Sequence, residues 1–240
     1  MNKKRFYLAA VLACLALVVT ACGDPSQAPS LGLDGMSTTT PGITEAPAAT
    51  GPVLFQDNFT NSTSGWGTGS NTDRTVDYMQ GTLDFKVFAA GDFVFSTPSD
   101  TDYTDVHMEV SIAPNDSNLD TAFGILCDQQ IDNNSFYYGA ITSLGKYTIA
   151  KAVAKKPDYF LTSNNSWVIS TAIPDHQVSY ALGIDCGSDG MLTLYVNGRR
   201  IDSIADSTYA KGHVGLFAWS SPHVNAADVN FSNFKITSIR

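Results

Sequence analysis

No ten-residue stretch between Val53 and Arg240 carries a helical stripe; the chain is instead cut into short apolar or alternating runs by Gly, Asn, Asp, Ser and Pro. Runs of this kind at this spacing read as an all-β sandwich or barrel. The expected strands are Val53–Phe59, Thr75–Gln80, Thr82–Phe88, Phe93–Thr97, Asp105–Ala113, Thr121–Cys127, Ser135–Thr142, Tyr147–Val153, Val178–Cys186, Met191–Asn197, His213–Trp219 and Asn225–Ile239. Turn chemistry agrees, since Ser188-Asp189-Gly190 and Asn197-Gly198 fall between paired runs, where hairpins want residues tolerant of positive φ. Inside a run the two-residue period separates two faces. Val106, Met108, Val110 and Ile112 point one way, and His107, Glu109 and Ser111 the other. Leu192, Leu194 and Val196 oppose Met191, Thr193 and Tyr195 in the same manner, so one face is core and the other surface. Hydrophobic residues make up 43% of the chain and aromatic ones 11%, enough for a sizeable core.

The segment before this domain reads as an address. Lys3, Lys4 and Arg5 precede an uncharged apolar run from Phe6 to Val19, the build of a secretory signal peptide. That run is shorter than the roughly 20 residues of a spanning helix, which makes a permanent transmembrane anchor the weaker reading. Val19-Thr20-Ala21-Cys22 closes it and resembles the lipobox of bacterial lipoproteins, in which the cysteine receives a diacylglycerol. The resemblance implies a signal peptide over residues 1–21, membrane lipid as a partner through Cys22, and a lipid-anchored chain on the extracytoplasmic face. The alternative is an ordinary signal peptide with an incidental Cys22. From Gly23 to about Pro52, Pro, Ser, Thr, Ala and Gly dominate and no aromatic residue occurs, so 22–52 reads as a flexible linker and 53–240 as the folded domain. As a coil of about thirty residues it would span roughly 30 Å. Loss of the three signal-peptide cations leaves a chain more acidic than its formal net charge of -9. Nucleic acid is excluded as a partner, because phosphate binding needs a basic surface.

Cys14 would leave with the signal peptide and Cys22 would carry lipid, so Cys127 and Cys186 are the thiols left to the domain. An exported pair meets an oxidising compartment, and a Cys127–Cys186 disulfide follows from compartment and parity. A metal site, which would need more ligands than two sulfurs, and a thiol nucleophile are the other readings. Closing this loop would be worth roughly 4 kcal/mol on the chain-entropy model.

Several motifs follow one another in a recognisable order. They are Leu54-Phe55-Gln56-Asp57-Asn58-Phe59 with Ser64-Gly65-Trp66, Phe123-Gly124-Ile125-Leu126-Cys127, Phe136-Tyr137-Tyr138, Leu192-Thr193-Leu194-Tyr195-Val196-Asn197-Gly198, Val214-Gly215-Leu216-Phe217-Ala218 and Phe231-Ser232-Asn233-Phe234. Taken together, residues 53–240 resemble concanavalin A-like jelly-roll domains, nearest in look to the laminin-G-like and keto-disaccharide hydrolase-like modules of bacterial surface proteins. The resemblance implies a sandwich of two antiparallel sheets with Trp66 at the core edge. It does not select an activity, since such folds host lectins, glycosidases and adhesion modules alike.

Glycoside hydrolysis ordinarily takes two carboxyl groups. Laminarinase-type relatives of this fold carry Glu-x-Asp-x-x-Glu along one strand, whereas the corresponding run here is Val106-His107-Met108-Glu109-Val110-Ser111-Ile112 and Glu109 is the only glutamate after Val53. His107 and Glu109 read either as an acid/base couple or as two solvated strand residues. Sugar binding needs aromatic faces and a few placed polar groups, and Tyr138, Tyr159, Phe160, Trp167 and Trp219 supply candidates. Trp167 is either a ligand platform or a lid over the core edge. Since relatives of this fold hold sugar chains on a concave sheet face, His107 and Glu109 are expected on the floor of a glycan groove with Tyr138 and Trp219 as walls. A structural calcium ion is a further candidate, with Asp57, Asp73, Asp77 and Asp228 as donors. A protein-binding adhesion or scaffold role and, behind it, glycoside processing are the alternatives to a polysaccharide ligand.

Overall fold

Alternation along the chain resolves into two antiparallel sheets in a computed structural model that describes residues 51–223 and 226–239. The signal segment, Cys22 and the linker as far as residue 50 lie outside the described residues. Strands are numbered along the chain. The first sheet contains β1 (Val53–Asp57), β2 (Gly69–Ser70), β3 (Arg74–Met79), β4 (Thr82–Val87), β6 (Val106–Pro114), β12 (Tyr180–Cys186), β13 (Met191–Val196), β14 (Arg199–Ala205) and β16 (Ala227–Ser238). Their order is β14-β13-β12-β6-β16-β4-β3-β2, with β1 also paired to β16. The second contains β5 (Phe93–Ser96), β7 (Ala122–Gln130), β8 (Ser135–Thr142), β9 (Lys146–Ala152), β10 (Tyr159–Phe160), β11 (Val168–Ile169) and β15 (His213–Trp219), ordered β10-β9-β8-β7-β15-β5 with β11 on β9. The only helical turns among the described residues are two 3-10 turns, Ser62–Ser64 and Ser163–Asn165. This is the expected jelly-roll sandwich.

All twelve expected strands form, and their ends move by a few residues. The edge strand β14 was not expected: Arg199-Arg200-Ile201-Asp202-Ser203-Ile204-Ala205 has too few apolar residues to read as a strand, but β13 pairs with it through the Asn197-Gly198 hairpin, where both residues have positive φ. Strand β7 runs on past Cys127 to Gln130, so that cysteine sits within its strand and not at the end.

Between the sheets Met108, Ile112, Phe85 and Phe231 from the first meet Phe123, Ile125, Tyr137 and Leu216 from the second in one buried cluster. Trp66 packs 5.2 Å from Phe234 and 5.5 Å from Phe59, and its indole N–H donates to Asp57 Oδ2 at 2.9 Å, which confirms its place in the core. The disulfide joins Cys127 of β7 to Cys186 of β12, with Cα atoms 6.7 Å apart, and so ties one sheet to the other.

One expectation from alternation fails. Every residue of β8 is buried, and so are eight of the nine in β7, because a second apolar cluster covers the outer face of the smaller sheet. Leu126, Phe136, Tyr138, Ala140, Ala150 and Phe217 form it, with Phe93, Phe95, Phe160 and Trp167 packed against them.

Candidate functional site

The two outward faces carry different chemistry. On the larger sheet the pairing of β6 with β12 sets His107 opposite Asp185 and Glu109 opposite Gly183. Gly183 also faces Tyr195 of β13, and a Cβ there would come within 3.2 Å of the imidazole and 3.5 Å of Tyr195 Cβ. Its bare backbone lets the His107 and Tyr195 rings meet edge-on, with centroids 5.6 Å apart. A polar chain then crosses four strands. Tyr195 donates to Asp185 Oδ2 at 2.7 Å, Asp185 Oδ1 lies 2.6 Å from His107 Nδ1, His107 Nε2 lies 3.6 Å from Glu109 Oε1, and Lys235 of β16 reaches Glu109 Oε2 at 2.8 Å. His107 is only 5% exposed, and the pairing with Asp185 is what makes its burial tolerable. Partial burial raises the Glu109 carboxyl, but the Lys235 hydrogen bond and the neighbouring His107 outweigh it and hold the pKa below the usual range. Burial and the Asp185 hydrogen bond push the Tyr195 hydroxyl up. A shallow depression of about 600 Å³ beside Glu109 is lined by Gln56, Asn58, Ser111, Asn233 and Lys235.

On the smaller sheet β8 and β15 direct Tyr138, Phe217 and Trp219 outward, and the segment between β9 and β12 brings Phe160 and Trp167 over them. These residues, with Phe93 of β5, Ala122 of β7 and Asp158, enclose a hollow of about 180 Å³. Tyr138 lies edge-on to Phe217 at 5.3 Å and donates its hydroxyl hydrogen to Asp158 Oδ2 at 2.8 Å. Burial and the Asp158 charge push that hydroxyl far up, so it stays protonated. Trp167 and Trp219 also border a second, more open lobe of about 330 Å³ that contains Asp120, Thr142, Lys146, Ser166 and Ile169. Lys146 pairs with Asp120 at 2.7 Å there. Two indoles thus stand between an aromatic hollow and a shelf that mixes Asp120, Thr142, Lys146 and Ser166 with apolar surface from Ile169 and the indoles themselves.

The expected four-residue groove does not exist. His107 and Glu109 project from β6 of the larger sheet, and Tyr138 and Trp219 from β8 and β15 of the smaller, so the two pairs face away from each other. The physical reason is that alternation decides the side of a strand on which a residue stands, and leaves open which sheet the strand joins. Tyr138 and Trp219 do share a cavity, joined by Phe160 and Trp167, whereas Tyr159 is exposed on its strand. Asp158, Phe93 and the Lys146–Asp120 pair were not foreseen. The alternation of Phe93 and Phe95 with Val94 and Ser96, aromatic on the outward side, is the sequence signal from which a second apolar face could be read.

The four candidate calcium donors are dispersed among other partners. Asp57 accepts from Phe59 N and Trp66, Asp77 from Tyr78 N, Asp73 from Thr72, and Asp228 meets Lys86 and Asn115. Among the described residues no three His, Cys, Asp or Glu side chains gather as a metal site.

No protein-family model matches the sequence, and no curated protein does. Solved structures share the fold. The carbohydrate-binding module CBM66 from Bacillus subtilis aligns with a TM-score of 0.56 at 19% identity, over 72% of this chain and 96% of that one. A β-glucanase from Bacillus licheniformis gives 0.55 at 14% identity, over 80% and 100%. A Bacillus subtilis protein of unknown function with a galectin-like fold gives 0.53 at 10% identity, over 78% and 96%. The fold is the concanavalin A-like jelly roll.

Proposed function

We propose that this chain is a carbohydrate-binding module, held by a lipid on Cys22 at the extracytoplasmic face of a membrane, and that its site is the groove bordered by Trp167 and Trp219. The observation that carries the reading is that these two indoles border both an apolar hollow and a shelf where Asp120, Thr142, Lys146 and Ser166 stand beside apolar surface. A sugar ring presents one face of C–H bonds and a rim of hydroxyls, and it asks for that combination. Fold relatives that include a carbohydrate-binding module and a β-glucanase support sugar over protein as the ligand class. Binding is favoured over hydrolysis because Glu109, the one glutamate after Val53, stands on the opposite face and is engaged by Lys235 and His107.

A glycan array probed with the full-length chain and with its Trp167→Ala variant tests the site. Binding to a glycan class that the variant loses is expected. An array without signal, or signal indifferent to Trp167, overturns the reading and leaves a protein ligand as the alternative. The tether is tested separately by Cys22→Ser, which should move the protein out of the membrane fraction or block its processing.

A further inference from the structure

Within the glycan-binding reading, on which this inference rests, the aromatic hollow specifies a substituent. Six of its eight lining residues are Phe93, Ala122, Phe160, Trp167, Phe217 and Trp219, and its polar side-chain groups are the Tyr138 hydroxyl, the Asp158 carboxylate and the two indole N–H groups. A pyranose ring seated in it would strand several hydroxyls, each at a cost of about 1–3 kcal/mol. The Tyr138 hydroxyl hydrogen is committed to Asp158 Oδ2. Asp158 Oδ1 has no hydrogen-bond partner among the described residues, and a carboxylate only accepts. The hollow therefore offers apolar walls, two indole N–H groups and, at its solvent-exposed rim, a carboxylate oxygen as acceptor.

We propose that it takes the acetamido group of an N-acetylated amino sugar, the methyl lying among the aromatic side chains and the amide N–H donating to Asp158 Oδ1. An acetamido group presents its methyl and its N–H on one side, which the walls and Asp158 take up, while its carbonyl oxygen turns back toward the sugar ring and the shelf, where it stays hydrated. A free ammonium has three donors and a strongly held hydration shell, and two of those donors would go unpaired here. The sugar ring itself lies outside the hollow on the shelf, where Asp120, Thr142, Lys146 and Ser166 meet its hydroxyls and the two indoles flank it.

Titration of the full-length chain with tetra-N-acetylchitotetraose, cellotetraose and the deacetylated chitotetraose, followed by calorimetry and tryptophan fluorescence, tests this. The acetylated tetramer should bind at least about tenfold more tightly than cellotetraose, the size of one well-placed hydrogen bond with a buried methyl. Asp158→Ala should remove most of that preference, and Asp158→Asn, which keeps an acceptor oxygen, should restore much of it. Equal binding of the acetylated and glucose tetramers overturns the inference and leaves the glycan reading standing. Preference for the deacetylated tetramer overturns it in favour of an ammonium ligand, and a preference that survives Asp158→Ala overturns the role of that carboxylate. If the array reports glycans but none carrying acetamido groups, the inference fails while the site survives; if it reports no glycan, both fail.

Discussion

The outer face of the larger sheet links its charged groups to one another beside a shallow polar depression, whereas that of the smaller sheet sets aromatic surface and two indoles around its cavities. On the first, Tyr195, Asp185, His107, Glu109 and Lys235 form a chain in which each group is used by the next. On the second, Trp167 and Trp219 border two cavities, and Asp158 has an oxygen to spare. The difference teaches that a polar sheet face is not by that fact a binding face. Groups that satisfy one another specify register and rigidity, and recognition needs groups left for a ligand.

The bond between the two sheets gives the largest expected effect. Cys127→Ala with Cys186→Ala releases a loop closed over a sequence separation of 59 residues. Denaturant unfolding should show a loss of about 4 kcal/mol on the chain-entropy model. A loss below about 1 kcal/mol would mean that the core between the sheets holds them together without the bond.

Next comes the polar chain. Asp185→Ala leaves His107 Nδ1 and the Tyr195 hydroxyl without their acceptor in a site where His107 is almost wholly covered. Two orphaned buried groups should cost about 3 kcal/mol of stability. Glycan affinity should not change, and a variant that lost affinity as well would break the separation of the two faces.

The sheets should also differ in their response to pH. Asp128, in β7 of the smaller sheet, is 4% exposed, and burial together with the charge of Asp105 pushes its pKa up to about 7. A carboxyl raised in the folded state binds its proton more tightly there than in the unfolded chain. Its contribution is therefore full below about pH 4 and is lost as the pH rises through 7. Asp128→Asn should flatten that slope and, with solvent relaxation discounted, stabilise the chain by about 2 kcal/mol at pH 8. Asn suits the positive φ of 51° at this position. An unchanged pH profile would show that Asp128 ionises without penalty.

Trp219→Ala should weaken the glycan selected by the array about tenfold, since a stacked aromatic face contributes about 1–2 kcal/mol. Its effect on unfolding should be small, because Trp219 is only partly buried and lies outside the core between the sheets.

These contrasts also mark what the sequence made legible. The period of two in Val106–Ile112 and Leu192–Val196, the hairpin at Asn197-Gly198 and the parity of Cys127 and Cys186 are local or compositional, and they carried the fold. The site needed something non-local. Tyr138 and Trp219 lie 81 positions apart on strands that are not neighbours in the sheet, and only the strand order β8-β7-β15 puts them beside one cavity. His107 and Glu109 have the same alternation signature and went to the other sheet. Asp158 carries no periodic signal at all, being fixed by the Tyr138 hydroxyl from outside its own segment.

Glu109→Gln should have the smallest effect, although the residue is the one that a catalytic reading would single out. Its carboxylate is half exposed, with a side-chain exposure of 49%, and its partner Lys235 is at 41%, so solvent screens the pair. Exposed pairs of this kind are worth about 0.2–1 kcal/mol, and the amide keeps the shape and an acceptor for Lys235. Stability should fall by about 0.5 kcal/mol or less. Glycan binding at the far sheet should be untouched. A tenfold loss of affinity in Glu109→Gln, with Trp219→Ala neutral, would move the site to the polar face and reverse the assignment of the two.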